Sequence, residues 1–108
     1  MAPEAPRSEV IRLVDHVPYA EGAIVSKTLV DKKAGTVTLF AFDAGQNLSE
    51  HTAPFDAAVQ VLDGEATLVV GGKTLRPGAG ELVIMPAHVP HSVRAERRFK
   101  MLLTLIRS

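Results

Sequence analysis

A chain of 108 residues with 12 basic and 12 acidic side chains has no formal net charge, so it carries no electrostatic footprint for nucleic acid or an anionic membrane. It has no cysteine, which excludes thiol catalysis, disulfides and zinc–thiolate sites, and its length suits one domain with one core. The opening "MAPEAPRSEV" lacks the pattern of a signal peptide and no run approaches the ~20 apolar residues of a membrane helix, so a soluble, cytoplasmic protein is expected. In chain order, "SEVIRLV" reads as a short first strand or turn, so residues 1–22 form an N-terminal extension and 23–108 the body of the domain. "AIVSKTLV" (Ala23 to Val30) reads as a strand, and "DKKAG" as a hairpin turn in which Gly35 takes positive φ. The next run, "TVTLFAF", sets Val37, Leu39 and Ala41 on one face and Thr38, Phe40 and Phe42 on the other, because strand side chains alternate. Both faces are apolar, which predicts a strand covered twice, once by the core and once by a second sheet or a second subunit.

Further strands follow at "AAVQVL" (Ala57 to Leu62), "EATLVV", "KTLR", "LVIM", "HSVRA" and "FKMLLTLI". Asp63-Gly64 and Gly71-Gly72 read as hairpin turns, and "PGAGE" as a further turn. Eight or more strands without room for a crossover helix predict an all-β fold, an antiparallel sandwich or barrel. The glycines belong to turns; no helix N-terminus follows them, so none forms a phosphate cradle. A Ser–His–Asp set drawn from Ser49 or Ser92, His51 and Asp56 lacks a nucleophile-elbow context. The basic run "RAERRFK", interrupted by Glu96, reads as a solvated turn.

Chemistry then rests on few polar groups. Of four histidines, His16 in "VDHVPY" reads as a surface or turn residue. His51 opens the segment leading into the Ala57 to Leu62 strand, and His91 opens "HSVRA" after a bend framed by Pro86 and Pro90. Histidines at two strand ends can face one cavity, and neutral imidazole is a common transition-metal ligand; the alternative is a pair of half-buried histidines bonded to backbone.

Two stretches carry a family resemblance. Gly45, "QNLSE", His51 and Gly64 fall in the register of the first cupin motif, and Gly80, "ELVIM", Pro86, "VP" and His91 in that of the second. The chain therefore resembles a small single-domain cupin, and the resemblance implies an antiparallel double-stranded β-helix, or jelly-roll, barrel. Cupins typically hold Mn, Fe, Ni, Zn or Cu on two histidines and a glutamate of the first motif and a histidine of the second. Here the second histidine position is Ala53, the glutamate position Ala57, the second-motif glycine His88 and its terminal asparagine Ala95. His51 and His91 remain. Gln60, on the strand that carries the family's glutamate, is the candidate third metal donor if a bulge near Pro54 resets strand parity. Asp56 reads as a turn or cap residue, with reach to the cavity mouth as its alternative, Glu50 as pointing away from His51, and His88 as tipping outward, with a swing over the mouth as its alternative. The resemblance implies one divalent transition metal (Mn, Fe, Ni or Zn) on His51, His91 and Gln60 in a dioxygenase, lyase or isomerase. The alternative it leaves is a non-catalytic module that has lost its metal and binds a small ligand in an apolar pocket. A third reading gives the barrel only a partner surface. A homodimer is expected from Phe40, Phe42 and the doubly apolar last strand.

Overall fold

Strands account for nearly all regular structure in the computed structural model, which describes residues 8–107. They are β1 (Ile24–Lys32), β2 (Gly35–Phe42), β3 (Asn47–His51), β4 (Asp56–Asp63), β5 (Thr67–Val70), β6 (Lys73–Leu75), β7 (Leu82–Met85), β8 (His91–Arg94) and β9 (Phe99–Ile106). One 3-10 turn, Leu13–Asp15, stands before them, and no α-helix occurs among the described residues. A five-stranded sheet of order β1-β2-β9-β4-β7 faces a four-stranded sheet of order β3-β8-β5-β6, every pair antiparallel. Apart from the β1–β2 and β5–β6 hairpins, each connection crosses from one sheet to the other. This is the all-β jelly-roll architecture expected from the sequence.

Alternation sets the core. Ala57, Val59 and Val61 of β4 point between the sheets, as do Phe42, Phe99 and Met101 from the same sheet and Leu68 and Val93 from the other. Phe42 and Phe99 are a directly opposed β2–β9 pair, stacked with ring centroids 4.6 Å apart. Each is fully buried, which contributes about 1.5–3 kcal/mol per side chain.

Three local expectations change. Gly35 has no positive φ; it opens β2 where an added Cβ would overlap the carbonyl oxygen of Leu105 on β9, so close strand approach is what requires glycine there. Asp63-Gly64 does not close a hairpin but carries the chain from β4 in one sheet to β5 in the other, with Gly64 at φ 73°. The second cover of β2 is neither a second sheet nor a second subunit. The segment around the 3-10 turn lies along the outer face of the five-stranded sheet, where Leu13, Val17 and Tyr19 pack on Leu29, Val37, Leu39 and Ala41. Val17 is fully buried there.

That strap is tied down by polar contacts. The Tyr19 hydroxyl donates to Asp63 Oδ2 at 2.6 Å, and Lys100 Nζ donates to the Val14 carbonyl at 2.6 Å. Asp43 accepts from Arg98 Nε at 2.7 Å and from the Gly22 amide at 2.6 Å. The "RAERRFK" run is thus more than a solvated turn: Arg98 and Lys100 flank the Tyr19 ring at 5.3 and 4.7 Å and fix the strap.

Candidate functional site

A cavity of about 250 Å³ opens between the sheets, walled by apolar side chains including Leu48, Phe55, Met85 and Met101, with His51 and His91 among its lining. A larger polar recess, about 470 Å³ and lined by Glu65, Glu96 and Arg97, lies at the opposite end of β8 and contains no histidine. The chemistry belongs to the first cavity, where two ionisable groups meet in apolar surroundings.

His91 is the first residue of β8 and shares the inward parity of Val93, leaving it 7% exposed. His51 does not open the segment toward β4; it is the last residue of β3, a strand the sequence reading did not separate out. Leu48 pairs with Val93 and His51 with His91, so Ser49 and Glu50 of β3 stand opposite Ser92 of β8 alone. The bulge at Ser49 and Glu50 turns His51 inward to face His91. Glu50 is exposed, as expected.

The imidazoles meet edge to face, with Nε2 atoms 3.1 Å apart. His51 Nδ1 lies 2.9 Å from the Ser49 carbonyl oxygen and His91 Nδ1 3.1 Å from that of Val89. A carbonyl oxygen only accepts, so each Nδ1 carries a proton and donates it. In the neutral rings both Nε2 atoms then present lone pairs to each other. Two lone pairs at this distance repel unless a positive charge lies between them, either one shared proton or a metal ion. Backbone carbonyls on Nδ1 are also the partners that orient metal-binding histidines.

The metal expectation divides on this geometry. Two nitrogens bound at about 2.0–2.1 Å to one ion lie roughly 3 Å apart in neighbouring coordination positions, so the pair fits two places of a divalent ion's shell. No carboxylate joins them: no group of three or more His, Cys, Asp or Glu residues able to hold a metal occurs among the described residues. Gln60 is not the third donor. It is exposed on the outer face of β4, opposed to Leu82 and Leu102, while Ala57 and Val59 take the inward positions. Strict alternation holds from Ala57 to Val61, and no bulge resets it before Gln60. Asp56 is occupied as a cap, its Oδ1 accepting from the Ala87 amide at 2.8 Å.

The loop between β7 and β8 carries one further feature. His88 is exposed and has φ 65°, left-handed backbone that costs a non-glycine residue about 1 kcal/mol. Its amide donates to the Ala53 carbonyl at 2.7 Å, which ties this loop to the one between β3 and β4 at the cavity edge. His16, at the end of the 3-10 turn, is half-buried within the strap with its Nε2 lacking a partner among the described residues.

Comparison with known proteins agrees with this architecture. The family model described as "Cupin domain" matches residues 38–106. A conserved protein of unknown function from Streptococcus pyogenes superposes with TM-score 0.92 at 31% identity, over 98% of this chain and 93% of that one. A cupin 2 conserved barrel domain protein from Leptotrichia buccalis is 46% identical with TM-score 0.86; the match covers 89% of this chain and 47% of that longer one. A cupin superfamily protein from Desulfitobacterium hafniense shares the fold with TM-score 0.90 at 24% identity, over 98% of this chain and 97% of that one. Among curated proteins none matches the chain.

Proposed function

The chain belongs to the cupin domain family, and on that premise we propose that it binds a small, largely apolar molecule between its two sheets, with the molecule's polar group at the His51–His91 pair. The carrying observation is the cavity itself, apolar apart from two converging imidazoles. Small-molecule sites have that make-up: apolar walls give affinity and a few fixed polar groups give orientation. A cavity of about 150 Å³ holds benzene, so about 250 Å³ suits a molecule of roughly ten non-hydrogen atoms.

A second reading is favoured by the 3.1 Å separation of the Nε2 atoms. In it His51 and His91 hold one divalent transition ion (Mn, Fe, Ni or Zn), and the protein is an enzyme of the dioxygenase, lyase or isomerase kind. When bound, such an ion acts as a Lewis acid on an oxygen of the molecule beside it. The residues' own part is the same in both readings. The imidazoles fix the polar end at the cavity mouth, where His51 stays exposed, and the apolar walls take the rest of the molecule. We also expect a homodimer, supported by the exposed Leu82 and Ile84 of β7.

The test compares the parent with the His51→Ala/His91→Ala double variant. Thermal shifts are read against a panel of small aromatic and branched aliphatic alcohols, ketones and acids, and metal content is read after loading and desalting. Compounds that raise the parent's Tm and act more weakly on the variant support the ligand site. Metal retained only by the parent adds the ion. A parent whose Tm no compound moves would sink the ligand reading.

A further inference from the structure

Resting on the small-ligand reading above, we propose that the polar end of that molecule is a hydroxyl group donating its hydrogen to His51 and His91, so that the site takes alcohols and phenols and discriminates against ketones and hydrocarbons of the same shape. The far side of each ring decides this. Nδ1 of His51 is spent on the Ser49 carbonyl at 2.9 Å and Nδ1 of His91 on the Val89 carbonyl at 3.1 Å, and a carbonyl only accepts, so both neutral rings carry their hydrogen there. What the pair turns to a ligand is two acceptors. No other side chain lining the cavity has a hydrogen to donate: Leu48, Phe55, Met85, Met101 and their neighbours are hydrocarbon or thioether. A ketone oxygen placed at the pair would meet lone pairs alone, whereas a hydroxyl brings the hydrogen that the site lacks.

The placement of the rings suits one shared hydrogen. Their Nε2 atoms are 3.1 Å apart and their centroids 4.3 Å. Rings set end to end would add a ring radius on each side of the nitrogen separation, so the short centroid distance means that the two lone pairs do not both lie along the line joining the nitrogens. At least one is turned aside, toward a third atom, and a single O–H can be divided between both nitrogens in a three-centre bond. Its hydrogen also sets positive charge between the two lone pairs and relieves their repulsion. His91 is only 7% exposed, so a ligand of the wrong sense that covers it leaves a sheltered acceptor unpaired. That is a stronger ground for rejection than a missing methyl group.

The experiment is calorimetry on the metal-free full chain at pH ~8, where ordinary imidazole is uncharged, with three probes of nearly equal size: α-methylbenzyl alcohol, acetophenone and isopropylbenzene. The alcohol should bind the parent about tenfold more tightly than either of the others, and the His51→Ala/His91→Ala double variant should lose that preference. Nitrogen-15 NMR of the parent should show both Nδ1 atoms protonated and both Nε2 atoms bare, with the Nε2 signals moving on addition of the alcohol and not of acetophenone. This measurement and the parent's own ranking of the probes decide the matter even if the double variant does not fold. Acetophenone or isopropylbenzene binding the parent as tightly as the alcohol, a protonated Nε2 in the ligand-free parent, or a preference that survives in the double variant would overturn the hydroxyl proposal and leave the ligand reading standing. Binding of none of the three would overturn the proposal too, and a wider panel that is also silent would take the ligand reading with it.

Discussion

At the level of single residues, the site is defined by which way side chains turn, and one bulge decides it. With unbroken alternation from Leu48, residue 50 would face the cavity; the irregularity between Leu48 and His51 brings His51 there instead. Across the cavity Ala57, 4% exposed, occupies the inward position where the family carries its glutamate. Ala57→Glu should therefore add a hard donor within the same wall as the histidine pair. We expect Zn²⁺ affinity to rise at least tenfold, about 1.4 kcal/mol, and metal-free stability to fall by about 1–3 kcal/mol from burying a carboxyl group. Calorimetry and chemical denaturation read the two effects, and unchanged Zn²⁺ affinity would place Ala57 away from the site. The histidine pair was legible in the sequence through motif spacing, whereas the direction of Gln60 was not. Gln60 is polar on an apolar strand, and its direction depends on whether a bulge precedes it, which residue types do not encode. His88 was read as outward-tipping, and its exposure agrees, but its bond to Ala53 joins two loops that only the fold brings together.

Elements were easiest to read where apolar residues alternate and hardest where they do not. β3, Asn47–His51, has Leu48 as its one apolar side chain, so the strand that carries His51 left no alternating pattern to find. The strap was hidden for the opposite reason. Its apolar residues, Leu13, Val17 and Tyr19, are scattered through a segment of turns, and their partners lie on β1 and β2. The doubly apolar β2 correctly signalled two covers, but nothing local distinguishes a strap from a neighbouring subunit. The strap has a built-in reporter, because Tyr19 is the chain's single tyrosine and there is no tryptophan. Burial first, then its hydrogen bond to Asp63, pushes the Tyr19 phenol well above its ordinary value of about 10. A raised folded value means this contribution to stability is present below pH ~10 and is lost as pH rises beyond it. Asp43 acts in the other direction. Its hydrogen bonds, first from Arg98 and then from the Gly22 amide, lower the carboxyl, so its contribution is present above the usual carboxylate range and is lost as pH falls through the lowered value. Tyrosinate absorbance should thus appear in the parent only well above pH ~10, together with loss of strand circular dichroism. Asp63→Ala should move its onset down. An onset at the ordinary value in both proteins would mean that the strap does not hold Tyr19. Removing residues 1–22 should expose Leu39 and Ala41 and lower the Tm sharply, because the burial of Val17 alone is worth about 2 kcal/mol.

For the whole molecule, two sheets with opposed inner faces explain both the core and the cavity, and they leave one surface unaccounted for. The strap covers the outer face of the five-stranded sheet over β1 and β2 and reaches Leu102 of β9 and Leu62 at one end of β4, while toward β7 and the other end of β4 that face stays open. Leu82, Ile84 and Ile106 are 58%, 56% and 50% exposed there, and Ile84 lies in one row with Ala58 and Thr104. Phe40 and Phe42, from which a dimer was expected, instead pack into the core or against it, so the expectation now rests on different residues. Monomers seldom expose apolar groups in such a row, and a stable pairing of about 800 Å² per partner would need most of this half-face. Sedimentation equilibrium at micromolar concentration should show a dimer whose Tm rises with protein concentration. Ile84→Lys should raise the dissociation constant at least tenfold, about 1.4 kcal/mol, by placing a charge in the pairing surface. Because Ile84 and the cavity lie on opposite faces of the same sheet, the same variant should keep the parent's ligand-induced thermal shifts. A parent that remains monomeric would refute the pairing, and a variant that loses ligand and dimer together would show that the outer face and the cavity are not the separate surfaces that strand alternation makes them.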